Sequence, residues 1–207
     1  MGAIMAAARD YGLGDDYTWP RPPAGGWTAD DLDRLPNLPP HTELIDGSLV
    51  LMSPQTDFHM AAMRLLEFGL WVQAPEHLYV AREMTTRLGK WDRLEPDLMV
   101  VQRSARTGPD QTWYEPDDVV LTVEIVSRDS VRRDRDVKHR KYADAGFRHF
   151  WRVEEEGGLP VVYVYELDPA TQQYAVPVIH RDRLKLDLPF PIDIDLTAFD
   201  RPQRPNP

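Results

Sequence analysis

One acidic residue interrupts an apolar run that otherwise has the composition of a buried strand. Glu124 lies within residues 119–126, where valine, leucine and isoleucine predominate. Burying an isolated carboxylate costs several kcal/mol, so such a side chain needs a cation, a proton or a metal ion beside it. The residues that the fold brings to Glu124 therefore decide its chemistry.

Two further carboxylates and an amine are candidates for that neighbourhood, namely Asp97 after Pro96, Glu43 before a turn, and Lys138 on a later helix. If strands 97–102 and 119–126 pair antiparallel, the start of the first lies near the end of the second, so Asp97 approaches Glu124 or Val126. Two carboxylates at that distance repel each other unless a cation separates them. Because Mg²⁺ binds carboxylates together with water and phosphate oxygens, a divalent-metal site is our hypothesis.

Five residues of the predicted helix 129–145 share one face by the three-four spacing rule. They are Val131, Asp134, Lys138, Tyr142 and Ala145. The ends of this stripe are apolar or small, as expected of a core-facing surface, but its middle is charged. Either Lys138 points inward to a carboxylate cluster or a phosphate, or Asp134 and Lys138 form an exposed pair worth about 0.3–0.5 kcal/mol. The residue types leave both interpretations open.

The rest of the chain supplies elements that could position these side chains. Glu43 begins the first strand of a predicted hairpin whose turn is Asp46-Gly47, a strong hairpin signal. Further strands are predicted over 78–88, 97–101, 119–126, 147–153, 161–167, 174–179 and 184–188, and helices over 28–35, 55–73 and 129–145. This mixture predicts an α/β (α+β) fold, with a mixed central β-sheet flanked by helices and β-hairpins at the N- and C-terminal ends.

The bulk composition predicts one domain in a reducing compartment. The 207 residues suffice for a single core, which we assign to residues 28–198, with a loose leader over 1–27 and a disordered tail over 199–207. The absence of cysteine excludes disulfides, zinc–thiolate sites and thiol catalysis. Because no secretory signal or membrane-length apolar run is visible, we expect a cytoplasmic protein with no membrane partner.

The charge distribution gives two opposing indications about nucleic acid. The net charge of −10 argues against such a partner, because phosphate binding depends on lysine and arginine. Residues 128–141, however, carry seven basic and three acidic side chains. This segment is either a basic patch, in which Arg132 and Arg133 would contact phosphates, or a solvated helix with internal ion pairs, and composition alone favours the second.

Several of these residues occur in an order that resembles a known family. The motif residues are Glu43-Leu44-Ile45-Asp46-Gly47, His59, Pro96-Asp97, Val123-Glu124-Ile125-Val126-Ser127, Asp134, Lys138, Tyr142, Gly146 and Phe150-Trp151. Over about residues 28–155 this ordered set resembles the Uma-two-type restriction endonucleases, which belong to the PD-(D/E)XK nuclease superfamily. The resemblance implies a restriction-endonuclease-like core in which carboxylates hold Mg²⁺ or Mn²⁺ and water attacks a phosphodiester bond of DNA.

The resemblance also implies roles for individual residues. By motif position, Asp97, Glu124 and Glu43 would be the metal ligands. The superfamily's usual lysine, two residues after the glutamate, is replaced here by Val126. Lys138 matches the lysine that the family places on the next helix, where it would orient the water or neutralise the phosphorane.

Other matched or neighbouring residues receive supporting roles. Tyr142, one turn after the lysine, could hydrogen-bond the same cluster. His59 matches a histidine position of the family, so it is a candidate to contact the metal-binding carboxylates from the side away from the metal. The alternative is that His59 is a polar residue at the start of a helix and has no role in the site. Asp134, Arg132 and Arg133 are further candidates for contacts with the cluster or the substrate.

Two functions of different classes remain as hypotheses. The intact set of Glu43, Asp97, Glu124 and Lys138 favours a Mg²⁺-dependent endodeoxyribonuclease. The global acidity favours a nuclease-fold binding or regulatory module without hydrolysis. Paired carboxylates also occur in glycosidases, but that interpretation gives Lys138 no role. Because cutting both strands of a duplex calls for two sites, a homodimer is expected, with the apolar C-terminal hairpin as a candidate contact.

Overall fold

The computed structural model describes residues 21–127 and 129–199 of the chain. Most of the predicted leader and nearly all of the predicted tail, residues 1–20 and 200–207, lie outside these ranges, as does residue 128. The predictions about those segments are therefore outside the described residues.

The three longest strands of the described residues lie between residues 119 and 168, and the strands on either side of them are shorter. They are β1 (Glu43–Ile45), β2 (Ser48–Val50), β3 (Leu78–Arg82), β4 (Thr85–Gly89), β5 (Asp92–Leu94), β6 (Leu98–Gln102), β7 (Trp113–Tyr114), β8 (Val119–Ile125), β9 (His149–Glu156), β10 (Leu159–Asp168), β11 (Gln173–Tyr174), β12 (Val178–His180), β13 (Arg183–Leu186) and β14 (Ile192–Asp195).

The central sheet is mixed and contains the strand that carries Glu124. Its strand order is β11-β10-β9-β8-β6-β3, with β12 paired to β10. β6 and β8 pair antiparallel with Leu98 opposite Val123, whereas β8 and β9 are parallel with Glu124 opposite Arg152. A smaller sheet has the order β2-β1-β5-β4-β7, and β13 pairs with β14. The register of β6 on β8 places the start of one strand beside the end of the other.

Two longer helical elements pack on this framework. Helix α1 (Asp57–Gln73) begins at Thr56, whose side chain accepts a hydrogen bond from the His59 N–H at 3.2 Å. The second helix, which we call α2, consists of a π-helical segment, Arg133–Lys138, followed by an α-helical segment, His139–Asp144. Short 3₁₀ turns occur at Arg103–Ala105, Pro116–Asp118 and Leu196–Ala198.

The central sheet separates two apolar cores, and strand alternation decides which residues face each of them. In β8, Leu121 and Val123 face the core that contains α1 and the β13–β14 pair. Glu124 points to the other side, where Tyr142 of α2 and Leu94 of the smaller sheet contribute to the second core. The predicted α/β (α+β) fold, with a mixed sheet flanked by helices, is confirmed.

Three local predictions differ from the structure. Residues after Thr28 form turns rather than a helix, although the Asp31 carboxylate accepts hydrogen bonds from both the N–H and the hydroxyl of Thr28, as the third residue of a helix cap does. The helix predicted over 129–145 contains the π-helical segment, which the three-four spacing rule does not anticipate. Strands β5, β7 and β14 were not predicted, since Asp92–Leu94, Trp113–Tyr114 and Ile192–Asp195 are too short or too charged to stand out.

Candidate active site

A cleft of about 900 Å³ opens where β6 begins, β8 ends and α1 starts. Its walls include six acidic side chains, Glu83, Glu95, Asp97, Glu124, Asp129 and Asp134, together with His41, His59, Arg82 and Arg133. The antiparallel register of β6 on β8 produces this convergence, because it brings the carboxylate that precedes β6 to the end of β8. The approach of Asp97 to Glu124 that the sequence predicts is thus observed.

The Glu124 carboxylate is held by two donors from α2. The Lys138 ammonium donates to Glu124 Oε1 at 3.0 Å and to Oε2 at 2.9 Å. The Tyr142 hydroxyl donates to Oε1 at 2.5 Å. All three side chains are buried, with Lys138 and Tyr142 fully inaccessible. Of the two interpretations of the helix stripe, the inward-facing lysine is therefore the one that the structure shows.

Glu43 shares the same lysine from the side of the smaller sheet. Its Oε1 lies 2.8 Å from the Lys138 ammonium and accepts a hydrogen bond of 2.8 Å from the backbone N–H of Glu95. The β1–β2 turn at Asp46-Gly47, where both residues have positive φ, fixes the strand that Glu43 begins. Lys138 therefore connects the central sheet, the smaller sheet and α2.

Burial and charge together set the protonation of this cluster. Burial raises the pKa of the Glu124 carboxyl well above its usual range, and Lys138 opposes that shift. Burial alone would lower the pKa of Lys138, but Glu124 and Glu43 raise it above the ordinary value of an ammonium. Burial also raises the pKa of Tyr142 well above that of a free phenol. At neutral pH the lysine is therefore a cation and the tyrosine an intact hydroxyl, and both donate.

Asp97 is oriented by one contact on each oxygen. His59 Nε2 lies 3.0 Å from Oδ1, and the Ile125 backbone N–H donates to Oδ2 at 2.6 Å. Burial would lower the pKa of His59, but the hydrogen bond to Asp97 and the nearby carboxylates raise it above the usual histidine value. The structure therefore places His59 in contact with Asp97, one of the carboxylates predicted to bind metal.

Asp134 contributes an acceptor that is both buried and unpaired. Its Oδ1 has no hydrogen-bond partner among the described residues, with Lys138 Nζ at 4.0 Å and Arg133 Nε at 3.9 Å. Burial raises the pKa of the Asp134 carboxyl, and Lys138 opposes this. A buried polar atom without a hydrogen-bond partner is costly, so this oxygen is free to accept a hydrogen bond from a group that enters the cleft.

The basic segment on α2 is mostly neutralised by carboxylates of the chain itself. Arg133 lies 3.7 Å from Glu43, Arg135 forms a two-pronged contact with Glu154, and Lys141 contacts Asp46 and Asp92. Arg132 is exposed and makes no ion pair within the described part of the chain. The solvated helix with ion pairs describes this segment better than an open basic patch.

Sequence reasoning missed one pair of cleft residues. His41 Nδ1 lies 2.5 Å from Glu95 Oε1, and burial, opposed by His41, raises the pKa of Glu95. His41 precedes Glu43 by two positions, and Glu95 precedes Asp97 by two. Since alternate residues of an extended chain share a face, that spacing is the signal that could have found them.

The donor set suits a divalent cation, although it is not a ready-made metal site. No three His, Asp or Glu side chains are grouped to hold a metal ion in residues 21–127 and 129–199. The cluster nevertheless contains more acids than cations. Its four acids are Glu43, Asp97, Glu124 and Asp134, and its two permanent cations are Lys138 and Arg133. Glu43 Oε2 and Asp134 Oδ1 are buried without a hydrogen-bond partner among the described residues. This excess of acidic groups suits a divalent cation, because carboxylate oxygens are the donors that Mg²⁺ prefers.

Comparison with known families accounts for the arrangement. The profile of the Uma2 family, described as “Putative restriction endonuclease”, matches residues 29–198. The chain belongs to the Uma2 family. The resemblance that the ordered motifs indicate is thereby confirmed, and the carboxylates and lysine discussed above all lie within the matched residues.

The Uma2 chain also has a solved structural relative. Its fold is similar to that in the “Crystal structure of a putative nuclease belonging to DUF820 from Anabaena variabilis ATCC 29413”. The two chains are 16% identical, the alignment covers 78% of this chain and 89% of that chain, and the TM-score is 0.60. At this identity the likeness establishes the fold alone. No curated protein matches the chain, and no helix in the described residues combines the length and apolarity of a membrane span.

Proposed function

We propose that this Uma2 protein is an endonuclease that uses Mg²⁺ or Mn²⁺ to hydrolyse phosphodiester bonds in DNA. The observation that carries the proposal is the convergence of Asp97, Glu124 and Asp134 in one cleft, backed by the buried Lys138. The family description names the same class of reaction. The cleft lies at the strand ends, where side chains from separate segments meet.

Asp97 and Glu124 are the proposed metal ligands, and Glu43 is the third carboxylate predicted for that role. A bound divalent cation would lower the pKa of water and shield the phosphate oxygens from electrostatic repulsion. His59 and the Ile125 N–H hold the two oxygens of Asp97, so the ligand is oriented before substrate arrives. Preorganised ligands of this kind reduce the reorganisation needed at the moment of reaction.

Lys138 acts through Glu124 in this proposal rather than on the substrate. Its side chain is fully buried and its ammonium contacts Glu124 and Glu43. Its positive charge opposes the rise that burial causes in the pKa of Glu124. Tyr142 adds a hydrogen bond to Glu124, so its hydroxyl fixes the rotation of the carboxylate. Both residues are positioning residues.

Asp134 and Arg133 are the groups proposed to meet water and phosphate. The unpaired Oδ1 of Asp134 belongs to a residue that lines the cleft, so it can accept a hydrogen bond from the attacking water. Arg133 lines the same cleft and is partly exposed, which suits contact with a phosphate oxygen. Arg132, exposed on the same helix, is proposed to contact the DNA backbone outside the cleft.

A plasmid-nicking assay tests the function. The wild-type protein should nick supercoiled DNA with Mg²⁺ or Mn²⁺ and stop when the metal is chelated. Glu124→Gln should lower the rate by ~100-fold or more, because charge stabilisation of this kind is worth that much. Glu155→Gln, at an exposed position of β9, is the matched control and should leave the rate unchanged. Cleavage by Glu124→Gln at the wild-type rate would show that the proposed site is wrong.

A nuclease-fold binding or regulatory module is the second candidate. It is favoured by the acidic lining of the cleft and by the ion pairs that neutralise most of α2. A wild-type protein that neither binds Mg²⁺ in calorimetry nor nicks DNA would support this alternative.

A further inference from the structure

Helix α1 carries an apolar stripe on the side that faces away from its own core. Met60, Phe68, Trp71 and Val72 are 56%, 62%, 66% and 53% exposed. The opposite face of the helix is buried in the core with Leu66 and its neighbours. A helix that is apolar on all sides is normally covered on all sides, so the outer stripe calls for a partner.

We propose that two copies of the chain associate through this stripe, with α1 packed antiparallel on α1 about a two-fold axis. The axis would pass at the level of Leu65 and Leu66, so that residues equally distant from it face each other. Met60 then faces Trp71 of the second copy, and Arg64 faces Glu67 of the second copy. Each contact occurs twice, as a closed two-fold interface requires.

The charges of the stripe are complementary to themselves in this arrangement. Arg64 is exposed and makes no ion pair with another described residue. The Glu67 side chain is 37% exposed. Among the described residues, its one ion pair is a long contact of 3.5 Å with Arg82. Antiparallel pairing places Arg64 opposite this carboxylate, whereas parallel pairing would bring the two Arg64 side chains together. The charge pattern therefore selects the antiparallel orientation.

The exposed area is in the range of a small specific interface. A fully exposed aromatic side chain presents about 150–250 Å², so at these exposures Phe68 and Trp71 of two copies would remove roughly 400–600 Å² from water. Met60, Val72 and the two charged residues extend this contact towards the ~1,200 Å² at which specific interfaces begin. Aromatic and methionine side chains are also the types enriched at such interfaces.

A nucleic acid is the other occupant that exposed aromatic rings suggest. The stripe has one basic residue, Arg64, and it lies among the acidic residues Asp57 and Glu67, so it offers no positive field to phosphates. The net charge of −10 adds to the repulsion. A second copy fits better, because it supplies both the apolar surface and the opposite charge.

The arrangement has a consequence that rests on the proposed nuclease function. Met60 also lines the cleft. Eleven positions separate Met60 from Trp71, and a helix rises 1.5 Å per residue, so the Met60 residues of the two copies would lie about 16 Å apart along the helix axis. Two clefts opening from these points would act on both strands of one duplex.

Sedimentation equilibrium of the full chain, without DNA or metal, tests the dimer independently of any nuclease activity. The wild type should dimerise at micromolar concentration. Trp71→Glu should raise the dimer dissociation constant roughly 30-fold or more, the effect of losing one interface hot spot. The melting temperature of the monomeric Trp71→Glu variant should equal that of the monomeric wild type, because Trp71 is exposed in the monomer. Val176→Glu, at a position 92% exposed near the C-terminal hairpin, is the matched control and should dimerise normally.

Exchange of charge tests the orientation. Arg64→Glu alone and Glu67→Arg alone should each weaken the dimer, and an equal mixture of the two variants should restore it, because opposite charges then face each other at both contacts. A monomeric wild type, an unaffected Trp71→Glu dimer, or loss of dimer in Val176→Glu would overturn the proposal. A monomer that binds single-stranded oligonucleotides through Trp71 would overturn it in favour of nucleic acid.

Discussion

The Lys138 ammonium lies 3.0 Å and 2.9 Å from the two carboxylate oxygens of Glu124, and both residues are buried. The same ammonium also contacts Glu43 at 2.8 Å. One cation thus neutralises acids from two different sheets. The arrangement of the proposed site and the stability of the fold depend on the same contacts.

Lys138→Met is expected to destabilise the protein strongly. Its two acids would remain buried without their shared cation, and removing one partner of a buried pair costs about 3–5 kcal/mol. Urea unfolding at pH 7 measures the change. Lys185→Met, at an exposed position of β13, is the control and should stay within ~0.5 kcal/mol of wild type. A loss for Lys138→Met no larger than that of the control would contradict the structural role of the pair.

Mg²⁺ is expected to stabilise the protein through Asp97. At a concentration about 100 times its dissociation constant a ligand adds ~2.7 kcal/mol, which for a chain of this size raises the melting temperature by roughly 5–10 °C. Asp97→Asn should remove most of the rise, since it takes away a charged donor. Asp144→Asn, on the exposed side of α2, should keep it. Equal rises in wild type and Asp97→Asn would exclude Asp97 as a ligand.

Arg132 and Arg135 are expected to differ in their contribution to DNA binding. Arg132 is exposed and has no ion pair among the described residues, whereas Arg135 is held by both oxygens of Glu154. In the Glu124→Gln background, Arg132→Ala should reduce the slope of log affinity against log salt by about 0.9. Arg135→Ala should change it little. Identical slopes for all three proteins would remove Arg132 from the interface.

Stability is expected to fall at mildly acidic pH because of His139. Its ring lies 5.0 Å from the rings of Tyr165 and Tyr174. Burial and the charge of Arg152 lower its pKa, so the unfolded chain binds more protons just below the unfolded value of about 6.5. The stabilisation is therefore present above that pH and is lost as the pH falls through the folded pKa.

Urea unfolding at pH 7.5 and 5.5 measures this dependence. His139→Phe should show a smaller decrease than wild type, because the aromatic contact remains and the titrating group is gone. His77→Phe, at an exposed position, is the control and should keep the wild-type decrease. An unchanged decrease in His139→Phe would assign the effect to other groups.

The approach of Asp97 to Glu124 could be predicted from strand patterns together with one assumption, that the two strands pair antiparallel. Pro96 marks the start of one strand and the apolar run around Glu124 marks the other, and the structure shows the assumed pairing. Alternation along β8 then places Glu124 on the face of α2. Local composition and the period of two were sufficient for the positions of the strands and the facing of Glu124, but not for the pairing of the strands.

The partners of each carboxylate could not be predicted in the same way. The contact of Glu43 with Lys138 depends on how the smaller sheet docks against the central one, which no local pattern encodes. The pairing of His41 with Glu95 joins residues 54 positions apart. Both contacts depend on tertiary packing, which overrides the preferences of single segments.

The π-helical segment Arg133–Lys138 contains, in effect, one residue more than an α-helix of the same length would need. Deletion of a single residue there should return the segment to ordinary α geometry and change the rotation of Asp134 relative to Lys138 about the helix axis. Because Lys138 at the end of this segment also contacts two buried acids, such a deletion would affect the proposed site and the stability of the fold together.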